Sequence, residues 1–126
     1  MRKIGLALTG LIALLHLYIA WLEIFAWTTR APSVFDAFPA TLFEPTVALA
    51  ANQGVYNLFL AAGLIWALLI KDKTWQFNVA AVFLGFVAIA GAVAAGTIAV
   101  KTGLPQLVPA AIALVCLGLS RKSDRV

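Results

Sequence analysis

The sequence predicts an all-α integral membrane protein, a bundle of four transmembrane helices with both termini on the cytoplasmic side. Three observations lead there. Hydrophobic residues make up 63% of the 126-residue chain and charged residues 11%, with a mean hydropathy of +1.01. Soluble domains average about 45–50% apolar and about 25% charged, and a water-soluble fold of this length has too little interior to hide the excess. The apolar residues fall into four stretches, at residues 4–27, 46–70, 77–100 and 104–119. The nine Lys and Arg gather at the ends of those stretches.

The first stretch follows Met1-Arg2-Lys3 and so has the start of a secretory signal. Its apolar run is longer than a usual signal core, no small-x-small cleavage site follows, and it contains His16 and Glu23; a retained helix is expected. Thr28–Glu44 is the one long connection. Phe35, Phe38, Leu42 and Phe43 recur through it beside Asp36 and two prolines, a composition that suits a segment lying at the outer membrane–water boundary and capping the bundle. Pro45 fits the first turn of the second helix, where its missing N–H has no partner to lose.

Lys71-Asp72-Lys73-Thr74 predicts a tight inner turn that makes the second and third helices antiparallel neighbours, with Trp66 and Trp75 at interfacial depth on either side. The third helix carries Gly85, Ala88, Ala92 and Gly96 on one narrow face, with Gly91 and Ala95 beside it; such faces let helix backbones approach closely in lipid. The fourth stretch is shorter and begins among Pro105 and Pro109, which predicts an oblique crossing or an irregular first turn. With no repeat, low-complexity tract or linker, residues 1–126 read as one domain.

Orientation follows from the basic residues of the short loops. Arg2, Lys3, Lys71, Lys73, Arg121, Lys122 and Arg125 fall on the side of the N terminus, and Arg30 and Lys101 on the other. The N terminus and, after four crossings, the C terminus are therefore expected in the cytoplasm. The same distribution argues against nucleic acid as a partner despite a pI near 9.7, because no basic stripe interleaved with aromatics is present. Membrane lipid is the expected surrounding. Cys116 is the only cysteine, so no intrachain disulfide can form.

The chemistry-bearing residues are polar groups at depths where lipid excludes them. His16, Tyr18 and Glu23 lie on the first helix. His16 and Glu23 are seven residues apart, hence on nearly one face and roughly 10.5 Å apart along the axis. A carboxylate at the membrane centre costs at least about 2.5–3.5 kcal/mol unless paired or protonated, so both groups should face the bundle interior. The second helix opens with Asn52, Gln53, Tyr56 and Asn57. Because the two helices run in opposite directions, Glu23 is expected level with Asn52 and Gln53, and His16 near Asn57 or a turn beyond. Lys101 ends the third helix on the side of Glu23, which makes a Glu23–Lys101 pair one expectation and snorkelling of the lysine to the interface the other.

The run His16-Leu17-Tyr18-Ile19, then Leu22-Glu23-Ile24-Phe25 and Trp27-Thr28, then Ala51-Asn52-Gln53-Gly54 with Tyr56-Asn57 and Phe59-Leu60-Ala61-Ala62-Gly63-Leu64, resembles a family of small bacterial membrane proteins catalogued as domain of unknown function 1304. The resemblance covers essentially the whole chain, and Asn52-Gln53-Gly54-Val55-Tyr56-Asn57 is its most specific part. Ile24 stands where Met is expected and Leu58 where Gly is frequent; neither touches the polar set. The resemblance implies a four-helix inner-membrane protein and supplies no activity.

Two classes of function therefore stay open. One is a binder or carrier of a small lipophilic molecule, or an enzyme acting on one, using His16, Tyr18, Glu23, Asn52, Gln53, Tyr56, Asn57 and Lys101. The other is a non-catalytic scaffold or homo-oligomer in which those residues are a structural hydrogen-bond network. No metal or cofactor is expected: one histidine in the chain leaves a tetrahedral site incomplete, and haem would need a second axial ligand from elsewhere. Phosphate-loop, dinucleotide-binding and Gly-x-Ser-x-Gly signatures are absent.

Overall fold

The structure, a computed structural model, describes residues 1–123. All regular elements among the described residues are helical: α1 (Arg2–Phe25), a single turn α2 (Ala31–Val34), two 3-10 turns (Ala40–Leu42 and Glu44–Thr46), α3 (Val47–Leu69), α4 (Lys73–Thr97) and α5 (Val100–Ser123). Four of the helices are long and apolar enough to cross a membrane; at 1.5 Å per residue, 23 or more residues reach past a hydrocarbon core of about 30 Å.

Each long helix packs on two others, α1 on α3, α3 on α4, α4 on α5 and α5 back on α1. Short connections make α3–α4 and α4–α5 antiparallel. α1 and α3 are antiparallel too, with Gly54 against Ala20 and Ile24 and Gly10 near Leu68, so the N terminus, the α3–α4 turn and the end of α5 share one end of the bundle. The ties there are direct: Arg2 Nη2 donates to Gln76 Oε1 at 2.6 Å and Arg121 Nη1 to Asn78 Oδ1 at 3.3 Å. Arg125 lies outside the described residues.

The core sits toward this end. Ile12, Leu64, Leu84, Val87 and Leu117, from all four long helices, interlock with alanines 13, 67, 80, 110 and 113. The opposite flanks stay apolar and open. Leu11, Leu14, Phe59, Leu69, Ile89 and Val115 are among many exposed large side chains, as expected of helices apolar all round whose solvent is lipid.

Two helix starts differ from the sequence expectation. α4 begins at Lys73, four residues before the apolar stretch, because Asp72 Oδ1 accepts the backbone N–H of Trp75 at 2.8 Å and caps the helix. α5 begins at Val100 and runs as a regular helix through both Pro105 and Pro109, with no irregular first turn. Proline four residues apart removes N–H groups from one side only, and membrane helices tolerate the loss when neighbours pack against it.

The small-residue face of α4 also divides differently. Gly91, with Ala95, makes the contact with α5: a Cβ added at Gly91 would lie 2.6 Å from Leu107 N and 2.9 Å from Gly103 O. Gly103 meets Gly91 and Ala95 in turn. Gly85 and Gly96 have nothing within 4 Å and Ala92 is exposed, so the row at 85, 92 and 96 faces outward. Gly91→Val should lower the stability of the detergent-solubilised protein by about 1–3 kcal/mol through overpacking, and Gly85→Val should leave it nearly unchanged. Equal melting temperatures for the two variants would contradict this assignment of the seam.

Candidate functional site

At the end of the bundle away from the core, all four long helices line a cavity of about 790 Å³. The space follows from side-chain size. At this level α4 contributes Ala90 and Ala94 and α3 contributes Ala50, where the core end has Leu64, Leu84 and Val87. The segment after α1 covers the cavity. Trp27 packs on Phe43 with ring centroids 4.9 Å apart and on Phe35 at 5.8 Å, and Phe38 joins both phenylalanines. Leu22, Ala26 and Ala31 form with Phe43 a buried cluster against which Trp27, Phe35 and Phe38 pack. Trp27 Nε1 donates to Thr46 Oγ1 at 2.9 Å, and that hydroxyl donates to Leu42 O at 2.7 Å. Tryptophan N–H groups need such a partner when covered, and here the partner fixes the cap to the start of α3.

Glu23 is the one acidic side chain on α1, 9% exposed, and lines the cavity. Asn57 Nδ2 donates to its Oε2 at 2.7 Å; Oε1 accepts no hydrogen bond from a described residue. The pairing requires close approach of α1 and α3, and Gly54 supplies it, since a Cβ there would lie 2.6 Å from Ile24 Cγ1 and 3.2 Å from Ala20 O. Glu23 therefore stands level with Gly54, next to the expected Asn52 and Gln53, and its carboxylate reaches about one turn deeper along α3 to Asn57. Which amide it pairs with is set by where the glycine lets the backbones meet, which residue counting from the helix ends does not capture.

Asn52, Gln53, Tyr56 and Tyr18 also line the cavity but are exposed. Tyr18 stacks on Trp21 at 5.9 Å and Tyr56 meets Phe59 edge-on at 5.9 Å, so both phenols stand at the bundle's flank. Lys101 lines the cavity too, but its Nζ pairs with Asp36 Oδ1 at 2.5 Å and not with Glu23. This ion pair joins the covering segment to the first turn of α5. With both partners more than half exposed, it positions more than it stabilises.

His16 stands apart. It is fully buried and is not among the cavity-lining residues. Its Nδ1 lies 2.9 Å from Ile12 O. A carbonyl only accepts, so Nδ1 carries the proton, and Nε2 is left without a hydrogen-bond partner among the described residues. Gln106 on α5 faces the His16 ring, so His16 belongs to the α1–α5 seam and does not continue the row of Glu23 and Asn57 on α3. Gln106, the amide that starts the fourth apolar stretch on the side of Lys101, does line the cavity; Asp36 and Thr46 line it too and were not among the expected site residues. An amide one turn into a helix and an acid among aromatics are the signals that mark Gln106 and Asp36.

The arrangement offers acceptors and amides around an apolar space. His16 has no hydroxyl or thiol hydrogen-bonded to it, and no three His, Cys, Asp or Glu side chains converge among the described residues. The chemistry in view is recognition by hydrogen bonds. Interhelical hydrogen bonds in membranes average about 0.6 kcal/mol and reach about 1.7. Asn57→Ala should accordingly lower stability by about 1 kcal/mol in a thermal melt, while Asn52→Ala, whose side chain makes no described bond, should shift it by less than about 0.5.

Compared with known proteins, residues 10–118 match a family model described as "Protein of unknown function (DUF1304)". No curated protein and no solved structure matches the chain.

Proposed function

The chain belongs to the DUF1304 family, whose description names no activity, and on the geometry of the site we propose that it binds a small amphiphile in the cavity beneath the aromatic cap. The observation that carries this reading is Glu23, a carboxylate at membrane depth with one oxygen tied to Asn57 and the other without a partner among the described residues, lining a space of about 790 Å³. Sites for small molecules typically occupy about 300–1,000 Å³ and combine apolar walls with a few polar groups. Leu15, Ile19, Leu49 and Leu60 supply walls here. The free oxygen of Glu23 is an acceptor, so the head group that matches it is a donor, a hydroxyl or amine on an apolar body.

1-Aminoanthracene, an amine on an apolar body, is a suitable probe in phosphatidylcholine nanodiscs, with empty nanodiscs as the partitioning control. Its fluorescence should rise saturably with the protein, and Glu23→Gln should weaken binding about tenfold or more, since a hydrogen bond to a charged group is worth about 1.5–3 kcal/mol and about 1.4 is tenfold. No saturable signal, or equal affinity in Glu23→Gln, would sink the proposal.

A second reading, a non-catalytic assembly component, is supported by the outward row of Gly85, Ala92 and Gly96, which leaves open space on α4. It expects self-association that Ala92→Leu disrupts and Glu23→Gln does not.

The same proposal includes an orientation. Arg2, Lys3, Lys71, Lys73, Arg121 and Lys122 against Arg30 and Lys101 support cytoplasmic termini in an inner membrane, with the aromatic cap on the far side. In a Cys116→Ala background, a membrane-impermeant maleimide added to intact cells should label Ser33→Cys and spare Asp72→Cys. The reverse pattern would invert the orientation.

A further inference from the structure

Cations at membrane-helix ends need only lie in the right loop to set topology. At the end of the bundle that holds the N terminus they do more than that. Arg2 from α1, Lys73 from α4 and Arg121 from α5 converge on a second cavity of about 310 Å³, together with Thr74, Gln76, Phe77 and Ser120. Among the described residues no acidic side chain lines it, and the two arginines are the cations on which the site rests. The nearby Asp72 carboxylate is engaged in capping α4 through Trp75 N.

The two guanidinium groups are held by neutral partners. Gln76, 5% exposed, donates from Nε2 to Ile70 O at 3.0 Å and accepts Arg2 Nη2 at 2.6 Å. A buried amide thus fixes the Arg2 fork without neutralising it. Arg121 lies over the Phe77 ring, 4.5 Å from its centroid, and reaches Asn78 Oδ1 with Nη1. Its Nε is shielded from solvent and has no acceptor among the described residues. A sequestered donor on a fixed cation is a group whose partner is an anion.

We propose that this cavity is a binding site for a phosphate-bearing anion, independent of the amphiphile cavity at the other end. Planar guanidinium forks match phosphate oxygens, and the hydroxyls of Thr74 and Ser120 stand among the lining residues to donate to the rest. Two sources carry this chemistry, a phospholipid head group, which basic pockets between membrane helices take up, and a free phosphate.

The test uses the full chain in dodecyl maltoside, whose micelles contain no phosphate. Melting temperature and adducts retained in native mass spectrometry are followed with inorganic phosphate or with phosphatidylglycerol, against chloride at matched ionic strength. Stabilisation by phosphate alone identifies the soluble source, by phosphatidylglycerol alone the lipid source, and by both the shared head-group chemistry. Arg121→Gln and Arg2→Gln should each weaken it at least tenfold, and Lys101→Gln, at the opposite end, should not. Should Arg121→Gln fail to fold, Arg121→Lys retains the charge without the fork and Nε, and should still weaken binding. No stabilisation beyond chloride, or unchanged binding in the arginine variants, overturns the site.

Discussion

Lipid offers a helix neither hydrogen bonds nor a hydrophobic reason to meet another helix, so every contact in this bundle must come from close packing or from polar groups finding each other. Both appear at the α1–α3 seam, and each depends on the other. Gly54 lets α1 approach until Ile24 and the Ala20 carbonyl lie against the α3 backbone, and only that approach brings Asn57 within 2.7 Å of Glu23. On the other side of the bundle, Gly91 and Gly103 bring the α4 and α5 backbones together in the same way, and the polar tie of that seam, Arg121 to Asn78, lies at its far end.

The two ends of the bundle follow from how side-chain volume is distributed along these seams. Branched side chains interlock at the end holding the N terminus. At the other end α4 presents the small side chains of Ala90 and Ala94, and the space beside them is closed by aromatic rings from a segment outside the helices. That segment is anchored at both flanks, by Trp27 on Thr46 and by Asp36 on Lys101. A cover built of rings is apolar toward the cavity and presents its polar handles at its edges. The closed end needs no cover, and its cations instead surround a shallow space of their own.

Four spans, the apolar covering segment and the polar residues of α1 and α3 are all legible in the sequence, because composition and charge position report directly on the solvent a segment faces. What escapes is the pairing of side chains. Counting inward from helix ends puts Glu23 beside Asn52 and Gln53, whereas with Gly54 against α1 its carboxylate reaches on to Asn57. The partner of Lys101 depends on where Asp36 comes to rest, which a segment lacking periodicity does not encode. The outward turn of Gly85, Ala92 and Gly96 is invisible for a related reason. In a helix apolar on every side, the inner face is chosen by its neighbours, and here Gly103 selects Gly91 and Ala95. Pro105 and Pro109 read as an oblique crossing or an irregular first turn, yet α5 begins earlier and continues through both.

Why position 23 holds a carboxylate is the question the packing itself does not answer. At the centre of a membrane helix an acid costs about 2.5–3.5 kcal/mol, and less toward the ends. The Asn57 bond returns about 0.6, at most about 1.7. A glutamine would accept the same bond from Asn57 through its own Oε1, without a charge to desolvate. As interhelical glue, then, glutamate is the poorer choice, and its distinguishing property is the second oxygen, which Asn57 leaves untouched beside the cavity. That oxygen gives position 23 a use that a structural network would not require, and it weighs the balance between the two readings toward recognition of a donor within the covered space.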